Sequence, residues 1–258
     1  MTKHQYIHGL RPEEDSFGNN IFESFNSGNL YSGYEIEERS DGRFVLNGDS
    51  NSYFEPFEEW TSIQKLIAPE IKGRILDVGC GGGKHSLYFQ ENEQDVSAMD
   101  NSPKAIETCK MRGIHKTIVC DVEHFHLIQN SFKFDHIIFW GNNLGLFQSR
   151  DFFLNLMGTL EHYTHPDSLI HLESMSPYGG GFLDTETVEY VHQNLLRKRL
   201  GGQMNTRIRY KKFVTPWTDY LFLSIEELRE LVNLTNWKIV NILEDNDTYQ
   251  YIAQLKRK

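Results

Sequence analysis

Ile75-Leu76-Asp77-Val78-Gly79-Cys80-Gly81-Gly82-Gly83-Lys84-His85 is the stretch that decides how this chain folds. A short apolar run enters a glycine-rich turn, and a polar, helix-compatible segment leaves it. Glycines let backbone amides come close to a ligand, and the start of the following helix favours negative charge. Three ligand classes use such a turn, and spacing separates them. A phosphate loop, Gly-x-x-x-x-Gly-Lys-Ser/Thr, needs a glycine where Val78 stands and a hydroxyl where His85 follows Lys84. The dinucleotide fingerprint, Gly-x-Gly-x-x-Gly/Ala, needs a small residue where Lys84 stands. Neither fits, which leaves Asp-x-Gly-x-Gly-x-Gly.

Outward from this turn, strands and helices alternate. Strand-like runs are expected at 74–78, 95–99, 116–120, 134–140 and 168–173, with helices at 84–91, 103–112 and 150–163 between them. Ser102 followed by Pro103 is a helix start. Such alternation implies a parallel sheet covered on both faces, and near-continuous apolar runs such as 136–140 suit its buried strands. Ser224 and Glu227 form a capping box for a last helix, followed by strands at 237–243 and 249–255 around the polar turn 244–247. Upstream, a short helix is expected within 13–25. Asp41-Gly42 reads as a hairpin turn with both residues at positive φ. Phe54, Phe57, Trp60, Ile63 and Ile67 recur at helical spacing, which predicts one amphipathic helix ending near Pro69.

On the residues Asp77, Gly79, Gly81 and Gly83, the chain resembles class I S-adenosylmethionine (SAM)-dependent methyltransferases, over Lys72–Glu173 and the C-terminal helix and strand pair. The resemblance implies a loop around the methionine part of SAM, with Asp77 helping to hold the amino group. Asp100 ends the second strand of the alternating region, where the family's acidic residue binds both ribose hydroxyls. Asp121 ends the third, where the family contacts the adenine amino group. Cys80, Asn101, Val122 and Trp140 complete the expected cofactor contacts. The implied fold class is α/β: a Rossmann-like, seven-stranded, mostly parallel sheet with an antiparallel C-terminal strand. A cap region is expected at 1–71 and the SAM-binding domain at 72–258, with a cap insertion at about 175–222.

Ligands of such sheets lie beyond the C-terminal strand ends, so acceptor-facing residues should follow the fourth and fifth strands of the alternating region. Asn143 and Tyr178 are candidates for substrate binding. Glu173 is a candidate catalytic base or an anchor for a cationic amine, and His192 in the insertion a second catalytic candidate. Tyr31, Tyr34, Tyr53 and Trp60 are candidates to close over SAM. Arg207, Arg209 and Lys211 alternate and should share one strand face. They either bind an anionic group on the acceptor or pair with the acidic N-terminal region. No metal is expected, and His124-x-His126 reads as a solvated turn.

The 258 residues carry 26 Lys plus Arg against 36 Asp plus Glu, a net charge of −10. Nucleic-acid affinity comes mainly from neutralising phosphates, so nucleic acid is a disfavoured partner. The charge is uneven: residues 1–71 carry 5 basic and 13 acidic groups, whereas 175–222 carry 7 and 4. No apolar run approaches the roughly 20 residues of a membrane span, so no membrane partner is expected. Residues 1–6 show no apolar stretch of a secretory leader. Three cysteines without Cys-x-x-Cys spacing suit a reducing, cytoplasmic setting. The expected activity is methyl transfer to oxygen or nitrogen of a small molecule or short peptide. The alternatives are an RNA-modifying enzyme using the basic insertion and a non-catalytic SAM-binding regulator.

Overall fold

The computed structural model describes residues 4–31, 33–129, 132–245 and 248–258. Residues 1–3, and Asn246 and Asp247 of the expected closing turn, lie outside them. In chain order the elements are β1 (His4–Tyr6), α1 (Ser16–Ser27), β2 (Tyr34–Arg39), β3 (Phe44–Asp49), α2 (Ser62–Ile67), β4 (Arg74–Val78), α3 (Lys84–Glu91), β5 (Asp95–Asp100), α4 (Pro103–Met111) and β6 (Thr117–Val119). There follow β7 (Phe134–Phe139), α5 (Arg150–Leu160), β8 (Thr164–Met175), α6 (Thr185–Leu196), β9 (Gly202–Tyr210), β10 (Phe213–Val214), β11 (Thr218–Phe222), α7 (Ile225–Asn233), β12 (Trp237–Asp245) and β13 (Gln250–Arg257). Contacts divide the chain into two compact units, one of residues 1–60, 72–129 and 206–217, the other of 61–71, 130–205 and 218–258.

In the first unit β1, β6, β5 and β4 lie side by side in that order, all parallel. Buried Ile75, Leu76, Val96, Ala98, Met99 and Ile118 hold them to their helices. A side chain of this kind contributes about 1.5–3 kcal/mol when fully buried. The same unit holds an antiparallel set in which β10, β9, β2 and β3 are neighbours. In the second unit β7 and β8 are parallel, β13 runs antiparallel to β8, and β12 antiparallel to β13. Its core includes Ile137, Ile138, Phe139, Phe147, Phe153, Ile170, Leu172 and Trp237. The Trp237 indole N–H is satisfied by the Met157 carbonyl at 3.0 Å. The fold is thus α/β with mostly parallel strands and an antiparallel C-terminal strand.

Three expectations need correction. Eight strands rather than seven build the two main strand sets, because His4–Tyr6 adds β1 beside β6 in register with Thr117–Val119. The helix read over 54–67 is interrupted: a 3₁₀ turn at Phe57–Glu59 is followed by extended Trp60, and only Ser62–Ile67 is α-helical. Pro56 disfavours helix at the residue before it, and Thr61 starts a new helix by accepting from the Gln64 N–H. In the β2–β3 hairpin Gly42 has φ 93° but Asp41 is not left-handed, and Gly42 N donates to Arg39 O at 2.8 Å. The turn therefore spans 39–42 with one left-handed glycine, a wider hairpin than the two-residue form.

Candidate functional site

In the first unit β4 delivers Asp77 to a buried position, 1% exposed, where the Ser86 hydroxyl donates to its Oδ2 at 2.6 Å. Burial pushes this carboxyl up to about 7, against the pull of the Ser86 bond. The backbone then turns through Gly79, Gly81 and Gly83 at φ 75°, 53° and 82°, conformations that L side chains rarely adopt. The amides of Gly79 and Cys80 both donate to the Met99 carbonyl at the end of β5, at 2.8 and 3.0 Å. Asp100 closes the arrangement, with Oδ2 accepting from Gly81 N and Oδ1 from Ser102 N, each at 2.9 Å. Burial raises this carboxyl to about 6. Gly83 opens α3, and a Cβ there would stand 2.4 Å from Ile114 Cδ1.

Side chains around the loop sort by what they can offer a ligand. Cys80 turns its thiol inward, 3.8 Å from that of Cys109, so its backbone is what it can present. The carbonyl of Asn101 accepts from Leu10 N at 2.9 Å, and Val122 is buried. Asp121 accepts twice from His124, through backbone N at 2.8 Å and Nδ1 at 2.7 Å, and once from His8 Nδ1 at 2.5 Å. Tyr53 lies against the loop: a Cβ on Gly81 would approach its Cδ1 to 2.9 Å, and its hydroxyl donates to buried Glu35 at 3.2 Å. Tyr31 and Tyr34 are exposed, and Trp60 packs edge-on against His85. Lys84 pairs with Glu55 at 2.9 Å, and Arg112 donates to Gly82 O at 2.5 Å. The sequence gives no sign of these last two contacts, because each joins residues about thirty positions apart.

Arg207 and Arg209 also belong to the first unit. Both donate to Glu38 on β2, at 2.6–3.0 Å, and Arg207 foremost holds that carboxyl at about 2. Lys211 lies beyond the end of β9, at φ 52°, so it does not extend the alternation of the two arginines, and it pairs with Glu23. Among the described residues, one trio of possible metal ligands lies close together: His8, Asp121 and His124. Its two imidazoles stack 3.9 Å apart at 21°. Nearly parallel rings cannot both aim an in-plane lone pair at one ion.

In the second unit, Trp140 is buried behind β7 and the chain turns through Gly141 and Asn142 at φ 73° and 64°. Glu173 on β8 is 1% exposed, and its Oε2 accepts from Gly141 N at 2.8 Å and from Gln64 Nε2 at 2.7 Å. Tyr220 donates its hydroxyl to Asn142 O at 2.8 Å, with Asn143 Oδ1 at 3.5 Å, and its ring fills the space beside Gly145. Tyr178 donates to Glu227 at 2.6 Å, and burial followed by this carboxylate pushes its phenol up. His192 is exposed on α6. Among the described residues no helix is long and apolar enough to cross a membrane.

A family model described as a methyltransferase domain matches residues 75–162. An uncharacterized methyltransferase of Staphylococcus carnosus is 29% identical over 97 residues, 36% of this chain and 44% of that relative. A ubiquinone biosynthesis O-methyltransferase of Nitrosomonas europaea is 25% identical over 180 residues, covering 65% of this chain and 71% of the relative. The crystal structure of a SAM-dependent methyltransferase from Bacteroides fragilis, in complex with S-adenosylhomocysteine, has the same fold. The TM-score is 0.79 at 20% identity, over 96% of this chain and 97% of that one. A methyltransferase-domain match that starts inside β4 and runs through the glycine loop, together with this shared fold, shows that the chain carries a methyltransferase domain with the fold of a SAM-dependent methyltransferase.

Proposed function

We propose that the methyl acceptor is a small molecule or short peptide with an oxygen or nitrogen nucleophile. The observation that carries this reading is what the basic residues of the insertion do. Arg207 and Arg209 share Glu38, Lys211 pairs with Glu23, and Arg199 with Asp219 at 3.1 Å. A cation already neutralised by a carboxylate adds little to phosphate binding, so the stripe that would favour RNA is largely spent inside the protein. The Nitrosomonas relative, named for an O-methylation of a small molecule, supports the same choice.

SAM supplies an activated methyl group on a sulfonium. Residues on the first unit suit such a ligand: a loop in which Gly81, Gly82 and Gly83 leave no room for a Cβ unless a neighbour shifts, and two carboxylates that burial makes receptive to an ammonium or to hydroxyl donors. In this reading Asp77 takes the ammonium, Asp100 the ribose hydroxyls and Asp121 the adenine amino group, with backbone of Gly79, Cys80, Gly81 and Gly83 along the methionine part. Asn101, Val122 and Trp140 keep their assignment as cofactor contacts, and Asn143 and Tyr178 theirs as acceptor contacts. Glu173 is better suited to holding the Gly141–Asn142 turn than to taking a proton, since Gly141 and Gln64 both donate to one of its oxygens. His192 then remains the candidate for a general base, wherever the acceptor arrives protonated.

The test is transfer of labelled methyl from SAM to phenols, amines and short peptides set beside total RNA. Label in a low-molecular-weight acceptor is expected. Label in RNA, with RNA binding that weakens as salt rises, would replace this reading with the RNA-modifying one.

A further inference from the structure

At Asp121 two histidines share the carboxylate that the proposed function assigns to the adenine amino group. An ionised carboxylate only accepts, so both Nδ1 atoms that reach it must carry hydrogen. His124 is tied twice, through its backbone N and its Nδ1, both to Oδ1. His8 holds the other oxygen, Oδ2, by a single bond, and its ring lies flat on that of His124. A flat heteroaromatic ring that gives one N–H to Asp121 and one face to His124 is what the adenine of SAM would be. The two occupants differ in how firmly they are held. The His8 side chain is 54% exposed. Its backbone is fixed independently, because Ile7 N and His8 N both donate to Val119 O, at 2.9 and 3.3 Å. The imidazole can therefore swing outward while β1 stays in place.

We propose that His8 competes with the adenine of SAM for Asp121 and the face of His124. Cofactor binding turns His8 out, and His124 becomes the ring on which adenine stacks. His8 thereby lowers the affinity for cofactor, and His124 raises it. The inference rests on the assignment of Asp121 to the adenine amino group.

Titration calorimetry of the whole protein with S-adenosylhomocysteine tests it. His8→Ala removes the competitor, and loss of one net hydrogen bond from the free protein should tighten binding about three- to tenfold. His8→Gln, which keeps a side chain of similar reach without the stacking ring, should tighten it less. His124→Ala should weaken binding about tenfold, an amount typical of a lost stacking contact. A readout that a merely structural role would not move is the imidazole N–H signal of His8 in proton–nitrogen spectra. It should be protected in the free protein and lost on addition of S-adenosylhomocysteine. If the parent protein binds no S-adenosylhomocysteine, the reading of the cofactor site fails. If it binds, and His8→Ala binds equally or more weakly while the His8 signal persists, the competition is refuted and the cofactor site stands.

Discussion

Cofactor binding should depend steeply on pH, because Asp77 is buried and its carboxyl is pushed up to about 7. S-adenosylhomocysteine carries the same ammonium and ribose as SAM and transfers no methyl. If Asp77 receives the ammonium, it is ionised in the complex. Below pH 7 the free protein holds a proton there that binding must expel, which costs about 1.36 kcal/mol per pH unit. Binding should therefore weaken about 100-fold between pH 8 and pH 5, about 2.7 kcal/mol. Asp100, raised to about 6 and less deeply enclosed, adds at most about one further factor of ten at pH 5. The Asp100 charge is among the causes that raise Asp77, so the two protons belong to the pair rather than to either residue. Calorimetry from pH 5 to pH 8, in two buffers of different ionisation enthalpy, reads both the affinity and the protons released. The expected result is an affinity that climbs to about pH 7 and then levels, with release of protons at pH 5 and almost none at pH 8. A flat affinity with no proton release would refute the pairing of Asp77 with the ammonium.

The same carboxyl sets a stability trade. Its folded pKa lies above the unfolded value of about 3.9, so its contribution is intact below about pH 4 and is lost as pH rises through 7. Asp77→Asn keeps an acceptor for the Ser86 hydroxyl and should raise stability at pH 8, by up to about 4 kcal/mol, while abolishing S-adenosylhomocysteine binding; thermal melts at pH 4 and pH 8 check the sign. Gly83→Ala forces a side chain into left-handed backbone, 2.4 Å from Ile114 Cδ1 and 3.0 Å from Cys109 Sγ. It should cost about 1–3 kcal/mol in urea unfolding and weaken cofactor binding. Glu173→Ala removes the acceptor of the buried Gln64 amide and of the part-buried Gly141 N–H and should cost about 2–5 kcal/mol, whereas Glu173→Gln should keep much of both stability and turnover. Equal loss of turnover in a stable Glu173→Gln protein would instead make Glu173 a base.

What could be read in the chain beforehand was local. The helix at 84–91 coincides with α3 because glycine punctuation and capping chemistry act within a few residues. The capping box at Ser224 and Glu227 closes as written for the same reason. The eighth strand escaped because three residues, His4–Tyr6, are too few for any periodicity, and their partner lies over a hundred positions away. The apolar period of 54–67 was real but shared among a 3₁₀ turn, an extended Trp60 and a short helix, since Pro56 and Thr61 outweigh it. The acidic positions 77, 100 and 121 stand out by their place at strand ends. Their companions do not: His8 meets Asp121 and Gln64 meets Glu173 only through the fold. The arginines of β9 could be seen, but not that Glu38 would take both.

The most direct measurement is a crystal structure of the protein grown with S-adenosylhomocysteine. The ribose hydroxyls should lie within hydrogen-bonding distance of Asp100, the ammonium beside Asp77, and the adenine amino group on Asp121. A ligand seated away from the 77–83 loop, or no bound ligand at saturating S-adenosylhomocysteine, would contradict the assignment of that loop as the cofactor site.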